Sequence, residues 1–185
     1  MILAIDPGLR HCGCAVFEPS WDGKMRQSVV IAPGELISAA LVKNTDTGRG
    51  PAAALAMATA VGAWSRKHGA VKTLVLEYPR VYPGMRDNDP NDLIELACVD
   101  GALAAWFSVP VHHYYPSEWK GQVPANPCAR QVMKRLNALE LARVEKFDPF
   151  FEALLRAEAR GKDVAHSTHN TLDAVGIGLK YLGRF

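Results

Sequence analysis

Residues 1–10 have the sequence MILAIDPGLR, in which five apolar residues lead into a carboxylate, Asp6, and then into Pro7-Gly8. An apolar run of this length that ends at a turn is typical of a buried strand, and Pro-Gly is a strong turn signal. Asp6 is therefore expected at the carboxyl end of a central strand, where open α/β sheets present their ligands. A carboxylate there is costly unless it is paired or binds a metal ion.

Composition narrows the class of protein. The length of 185 residues predicts one domain, residues 1–185, with an additional helical segment around residues 147–165. The net charge of +2 permits a nucleic-acid partner without requiring one. The four cysteines lack the spacing of zinc sites, so buried thiols are expected. There is neither a signal-peptide pattern nor an apolar run of about 20 residues, which predicts a cytoplasmic protein without a membrane partner.

Patterning along the chain indicates an α/β fold. The expected order of strands and helices is β-β-β-α-β-α-β-α, followed by the additional segment and a closing helix. The predicted strands are residues 1–6, 11–18, 27–32, 71–76 and 109–115, and the predicted helices are residues 52–68, 91–107, 128–141, 148–160 and 168–182. The first three strands suggest an antiparallel meander, and the later alternation predicts a mixed sheet with helices on both faces.

Two further acids repeat the arrangement of Asp6. Glu77 ends another apolar strand, and Asp173 lies early in the last helix, one turn after His169 and Asn170. If these acids converge, they cannot all stay ionised without cations. Oxygen ligands select Mg²⁺ or Mn²⁺, and two such ions about 3.5–4 Å apart hydrolyse phosphodiesters. The alternative is that each acid caps a helix or joins an ion pair.

Four segments resemble the RuvC family of Holliday junction resolvases, within the RNase H-like superfamily. They are IDPGLR at residues 5–10 with Gly13, Leu76-Glu77, YPSEWK at residues 115–120, and LDAVGIGL at residues 172–179. Residues 119–124, WKGQVP, are more similar to the phage-encoded branch than to the bacterial housekeeping one. The resemblance covers nearly the whole chain, apart from residues 147–165.

The resemblance implies an RNase H-like mixed five-stranded sheet, with three antiparallel strands and parallel strands beside them, flanked by helices. It implies a metal-dependent endodeoxyribonuclease that cuts four-way or other branched DNA junctions in recombination, repair or phage DNA processing. Such enzymes act as homodimers. The implied cofactor is Mg²⁺, two ions per site, for which Mn²⁺ substitutes; no organic cofactor is expected.

The resemblance also assigns roles to individual residues. Three acids match the family's metal ligands: Asp6, Glu77 and Asp173. The fourth ligand position, Asp or His in the family, is Asn170 here, with His169 beside it, and both are kept as candidates. Lys120 matches a lysine that approaches the scissile phosphate, although a solvated surface lysine would give the same pattern.

Candidate DNA-contacting residues fall in two places. Aromatic and basic residues alternate directly after Glu77, a mixture that suits stacking on unpaired bases and binding of phosphates. They are Tyr78, Arg80, Tyr82 and Arg86, of which Tyr82 is the candidate wedge. Arg130 and Lys134, next to Arg135, form a possible phosphate-contacting face. Local packing of the tyrosines and a solvated basic face are the alternatives, and His112-His113 is expected to be structural.

Two other functions fit the same residues. A compact RNA-processing nuclease of the RNase H-like class shares the Asp-Pro-Gly opening, although such enzymes are usually shorter. A non-catalytic module that binds branched DNA would explain why Asn170 replaces an acid. An actin-like ATPase also begins with a strand, an acid and a glycine turn, but its two-lobed architecture needs a longer chain.

Overall fold

The computed structural model describes residues 1–18, 34–79, 90–162, 164 and 166–185. The strands are β1 (Ile2–Asp6), β2 (His11–Glu18), β3 (Glu35–Lys43), β4 (Thr73–Glu77) and β5 (Val111–Tyr114). They form one five-stranded sheet in the order β3-β2-β1-β4-β5. The first three strands are antiparallel, and β1, β4 and β5 are parallel. The predicted fold class, a mixed five-stranded sheet flanked by helices, is confirmed.

Helices cover both faces of the sheet. They are α1 (Gly50–Ser65), α2 (Pro90–Phe107), α3 (Pro116–Trp119), α4 (Ala125–Lys134), α5 (Ala138–Ala142), α6 (Phe147–Glu158) and α7 (His166–Tyr181). One core lies between the sheet and α1 and α2, and the other lies beneath α3 to α7. Within the described residues, no helix has both the length and the apolar character needed to cross a membrane.

Two local predictions need correction. The structure has a strand at Glu35–Lys43 that the sequence reading did not identify, whereas the predicted strand at residues 27–32 lies outside the described residues. The predicted helix at residues 128–141 is two helices, α4 and α5. The break has a local cause, because the Asn137 side chain accepts a 2.9 Å hydrogen bond from the Glu140 N–H and starts a new helix.

The edge strand β3 is covered by the segment between α5 and α6. The Ala39 N–H donates to the Arg143 carbonyl at 3.1 Å, and the Glu145 N–H donates to the Ala39 carbonyl at 2.8 Å. An uncovered edge strand would offer its backbone groups to other chains. The α6 helix that follows lies in the segment predicted to be an insertion, and that assignment stays a prediction.

A buried ion pair joins the C-terminal residues to the sheet edge. Glu140 is 1% exposed and accepts a 3.0 Å hydrogen bond from the Leu36 N–H. Both of its carboxylate oxygens accept from Arg184, at 2.6 and 2.8 Å. Arg184 also donates to the carbonyls of Gly34 and Arg135. Burial alone would raise the pKa of Glu140, but Arg184 and the backbone N–H donors lower it to about 2.

Replacing Glu140 is expected to weaken the fold and flatten its acid sensitivity. Because its folded pKa is lowered from 4.5 to about 2, its stabilisation is present above pH 4.5 and lost as pH falls toward 2. Glu140→Gln should lower the free energy of unfolding by about 3 kcal/mol at pH 7, since it leaves the Arg184 charge without a partner. Urea unfolding at pH 7 and pH 2.5 measures both effects.

The matched control is Glu152→Gln, whose exposed side chain pairs with Arg156 at 3.4 Å on the same helix. It should change the free energy of unfolding by less than about 0.5 kcal/mol. Equal losses for the two variants at pH 7 would contradict the importance of the buried pair.

Candidate active site

Asp6 and Glu77 lie side by side at the ends of two neighbouring strands. In the parallel pairing of β1 with β4, Ile5 is opposite Leu76, so the two acids occupy the next positions on each strand. Side chains alternate between the faces of a strand. Asp6 and Glu77 therefore lie on the same face as the apolar residues that pack beneath α7.

A close helix–sheet contact brings the third acid to this edge. A Cβ atom at Gly13 on β2 would lie 1.7 Å from the carbonyl oxygen of Asn170 on α7. Only a glycine leaves room for this approach, so Gly13 sets how closely the first turns of α7 lie on the sheet. Asp173 lies one turn further along α7 and reaches the two strand-end acids.

Lys120 links the acids. Its Nζ atom lies 3.1 Å from Asp173 Oδ2 and 3.5 Å from Glu77 Oε2. The indole Nε1 of Trp119 donates a 2.6 Å hydrogen bond to the same Glu77 oxygen. The described structure thus joins Glu77, Asp173 and Lys120 through direct contacts, with Asp6 beside them.

The electrostatics of the cluster show a deficit of positive charge. Burial raises the pKa of Asp6 well above its usual value, and the charges of Glu77 and Asp173 raise it further. Burial also raises the pKa of Glu77, against the opposing effects of Lys120 and the Trp119 hydrogen bond. Burial would lower the pKa of Lys120, but the carboxylates outweigh it and raise that pKa, so the ammonium stays charged. Among the residues that the structure describes, one cation, Lys120, faces three acids.

The two candidates for the fourth position have different surroundings. Asn170 is partly buried, and its Nδ2 lies 3.4 Å from the His11 carbonyl at the start of β2. His169 is 3% exposed, and its Nε2 lies 2.6 Å from the Val164 carbonyl. Its ring also contacts Phe150 of α6 edge-on. The structure therefore places His169 in the core under α6 and does not bring it to the acids.

The donor atoms at this edge of the sheet determine which metal ion the site suits. As the side chains stand, the described residues contain no group of three or more His, Cys, Asp or Glu in a metal-holding arrangement. The Lys120 ammonium instead lies between Glu77 and Asp173. The donors nevertheless fit Mg²⁺ or Mn²⁺, because they are carboxylate and amide oxygens with unbalanced negative charge.

The predicted DNA-contacting residues are distributed over several surfaces. Tyr78 is 40% exposed directly after Glu77. Arg80, Tyr82 and Arg86 lie outside the described residues. Arg130 makes a two-bonded ion pair with Glu158 of α6, including a 2.7 Å bond from Nε to Oε1. Lys134 lies on the surface of α4, where it lines an open cavity.

Sequence reasoning missed the role of Trp119. This residue is 4% exposed, and its ring packs directly against Gly176 of α7, where a Cβ atom would lie 2.4 Å from the ring. The ring is held between α7 and Glu77, which it orients through the indole N–H. The sequence gives little sign of this contact. Trp119 and Gly176 are far apart along the chain, and nothing near either residue indicates that the other packs against it.

Comparison with known proteins bears on the fold. No family model and no curated protein sequence matches this chain. Among solved structures, Thermus thermophilus RuvC in complex with a Holliday junction substrate matches with a TM-score of 0.58 and 17% identity, over 96% of this chain and 89% of that one. The chain has the RuvC-like RNase H fold. The resemblance read from the sequence is thereby confirmed at the level of the fold.

Two further structures have the same fold. T. thermophilus RuvC in a second structure matches with a TM-score of 0.54 and 15% identity, over 99% of this chain and 96% of that one. The yeast mitochondrial Holliday junction resolvase Ydc2 matches with a TM-score of 0.56 and 12% identity, over 99% and 78%. Similarity to the phage-encoded branch stays a prediction.

The contact between Gly176 and Trp119 can be tested by coupled substitutions. Gly176→Ala should lower the free energy of unfolding by about 1–3 kcal/mol, because the new methyl group overlaps a ring that has little room to move. In a Trp119→Leu background, the further loss caused by Gly176→Ala should fall below about 1 kcal/mol. Urea unfolding of the four proteins measures this coupling, and equal losses in both backgrounds would refute the contact.

Proposed function

We propose that this protein is a metal-dependent endodeoxyribonuclease that resolves four-way (Holliday) or other branched DNA junctions by paired phosphodiester hydrolysis. The observation that carries the proposal is the cluster of Asp6, Glu77 and Asp173 around Lys120 at one edge of a RuvC-like sheet. The solved structure of T. thermophilus RuvC with a Holliday junction substrate supports the choice of branched DNA.

Four residues would hold the metal ions: Asp6, Glu77, Asp173 and Asn170. Two bound Mg²⁺ ions, or Mn²⁺ in their place, supply an activated water and stabilise the leaving oxygen. Asn170 is preferred over His169 because its amide oxygen adds a ligand without adding charge, whereas the imidazole of His169 is buried against α6. Trp119 holds the Glu77 carboxylate in one orientation.

Lys120 has a second role in this proposal. Its ammonium is charged, partly buried and within 3.5 Å of two of the acids. A fixed cation at this place would stabilise the negative charge that develops on the scissile phosphate, and such preorganised charges contribute strongly to catalysis. The side chain would therefore contact a phosphate oxygen when DNA is bound.

The DNA-contacting surface is proposed from fewer observations. Tyr78 could stack on a base, because its side chain is exposed directly after Glu77. Arg80, Tyr82 and Arg86 remain predictions. Lys134 is exposed on the surface of α4, where it could contact a phosphate, whereas Arg130 would first have to release Glu158. A cytoplasmic location and a role in recombination, repair or phage DNA processing are proposed with the activity.

A homodimer is proposed because paired cuts at a four-way junction need two equivalent active sites. The helix α2 supplies a suitable surface. Ile94 is 61% exposed, and Ala97, Gly101 and Ala105 continue an exposed, small and apolar stripe along the helix. A stripe of this kind allows two copies of the helix to pack closely about a two-fold axis.

The activity can be tested by strand nicking. The wild-type protein should nick a four-way DNA junction when Mg²⁺ or Mn²⁺ is present and lose activity in excess chelator. Asp6→Asn should lower nicking at least 100-fold while junction binding in a gel-shift assay persists, because a ligand is lost without loss of the DNA surface. Glu152→Gln, an exposed acid on α6, is the control and should cut normally.

The alternative functions give different results in the same assays. An RNA-processing nuclease would cut structured RNA and leave DNA junctions intact. A non-catalytic module would bind the junction tightly and cut nothing at any metal concentration. Either result would overturn the proposed activity.

The proposed dimer surface predicts a change in oligomeric state. Ile94→Asp should convert a dimer into a monomer, because it places a charge in the apolar contact. The control is Leu155→Asp, on α6 of the opposite layer, where the side chain is 46% exposed. Light scattering coupled to size-exclusion chromatography measures both, and an unchanged mass for Ile94→Asp would exclude this surface.

A further inference from the structure

Three aromatic rings meet at the carboxyl ends of β4 and β5. The Tyr78 and His113 ring centroids are 5.1 Å apart with an angle of 84° between the ring planes. The Tyr78 and Tyr115 centroids are 5.7 Å apart at 89°. These are edge-to-face contacts, the arrangement that aromatic pairs prefer. Tyr78, His113 and Tyr115 are called the aromatic platform below.

The aromatic platform lies at the same end of the sheet as the acids but on the other face. Tyr78 follows Glu77 directly, so their Cα atoms are about 3.8 Å apart and their side chains alternate between faces. In the pairing of β4 with β5, Leu76 is opposite His113. A DNA strand that crosses the ends of these two strands would therefore contact both the acids and the platform.

Each member of the platform is held in place by a hydrogen bond. The His113 Nε2 lies 3.0 Å from Asp100 Oδ2 on α2. The Tyr78 N–H donates to the Tyr114 carbonyl at 2.9 Å. The Tyr115 N–H donates to Glu118 Oε2 at 2.7 Å. The bond to Asp100 fixes the His113 ring, and the two backbone bonds fix the points from which the tyrosine side chains extend, so the surface needs less ordering when a ligand binds.

Asp100, which holds the His113 ring, lowers the stability of the fold. Asp100 is 6% exposed, and its second oxygen, Oδ1, is buried without a hydrogen-bond partner in the part of the chain that the structure describes. A buried polar atom without a partner destabilises a protein by about 1–3 kcal/mol. Against this loss of stability, Asp100 fixes the orientation of the His113 ring.

The rings remain accessible. Tyr78 and Tyr115 are each 40% exposed, and the His113 side chain is 36% exposed. Base stacking on exposed aromatic rings is the common basis of binding to unpaired nucleotides, and it accepts any base because every base has a π face. Exposed rings that contact one another next to the proposed phosphodiester-cleaving site match that ligand.

We propose that the aromatic platform stacks an unpaired nucleobase of the DNA strand next to the cleaved phosphodiester. In this arrangement Tyr115 and His113 contact the base, together with Tyr78, and Asp100 is a positioning residue that acts through His113. The proposal rests on the proposed function for its DNA substrate. It adds two base-contacting residues and a support that the sequence did not indicate.

The experiment measures stacking separately from cleavage. Asp6→Asn protein without divalent metal is titrated into single-stranded DNA and into a four-way junction, each carrying one unpaired 2-aminopurine. Fluorescence lifetime reports stacking, and anisotropy of a distant dye reports affinity. Tyr115→Ala and His113→Ala should each weaken binding roughly 10-fold and restore the long 2-aminopurine lifetime. Circular dichroism verifies that each variant is folded.

A neighbouring histidine gives the matched control. His112 lies on the opposite face of β5, with its ring 4.9 Å from Tyr181, so His112→Ala should leave the lifetime and affinity unchanged. Asp100→Ala should resemble His113→Ala, and the double variant should show no additional loss, because both act through the same ring. Additive losses would show that Asp100 does not act through His113 and would overturn its positioning role.

The outcomes separate this inference from the proposed function. If His113→Ala and Tyr115→Ala behave like His112→Ala while wild-type protein still nicks junctions with Mg²⁺, the platform is wrong and the nuclease assignment stands. If the lifetimes change as expected but wild-type protein cuts no branched DNA, the platform stands and the nuclease assignment fails. If Tyr115→Ala alters the oligomeric mass and leaves the lifetime unchanged, the rings form a subunit contact, which also overturns the proposal.

Discussion

Repulsion among three crowded carboxylates is the constraint on which the rest of this structure depends. Asp6, Glu77 and Asp173 come from two parallel strands and a helix, and burial acts in the same direction as their repulsion, because both raise the pKa of Asp6 and Glu77. Lys120 offsets only part of this charge. Such an arrangement is typical of functional sites, and cation-assisted phosphodiester hydrolysis is the proposed function that the donor types fit.

The surrounding packing holds the acids together against that repulsion. Gly13 allows α7 to lie on β2, and Gly176 allows the Trp119 ring to lie between α7 and Glu77. Both glycines act through close approach rather than through unusual backbone angles. The same sheet edge carries exposed aromatic rings on its other face, so the acids and the proposed stacking surface lie on opposite sides of one strand end. This combination suits a branched nucleic acid, which offers both phosphates and unpaired bases.

The sequence predicted the features that follow from local patterns. Apolar runs that end in an acid located Asp6 and Glu77 at strand ends, and the structure has them there. Residues 35–43 escaped prediction because a short run of small and apolar residues does not separate strand from helix. The choice between Asn170 and His169 depends on packing against α6, and the bond from Trp119 to Glu77 spans 42 residues, so neither has a local signal.

The acid cluster is proposed to bind divalent metal at the carboxylates that the Lys120 ammonium now contacts. Anomalous diffraction from crystals soaked in Mn²⁺ tests this most directly, because the signal locates the ion without assuming any activity. Bound Mn²⁺ ligated by Asp6, Glu77 and Asp173, and absent from Asp6→Asn crystals, is the expected result. Saturating Mn²⁺ that gives no anomalous peak at these carboxylates, with the Lys120 ammonium still on Asp173, would contradict it.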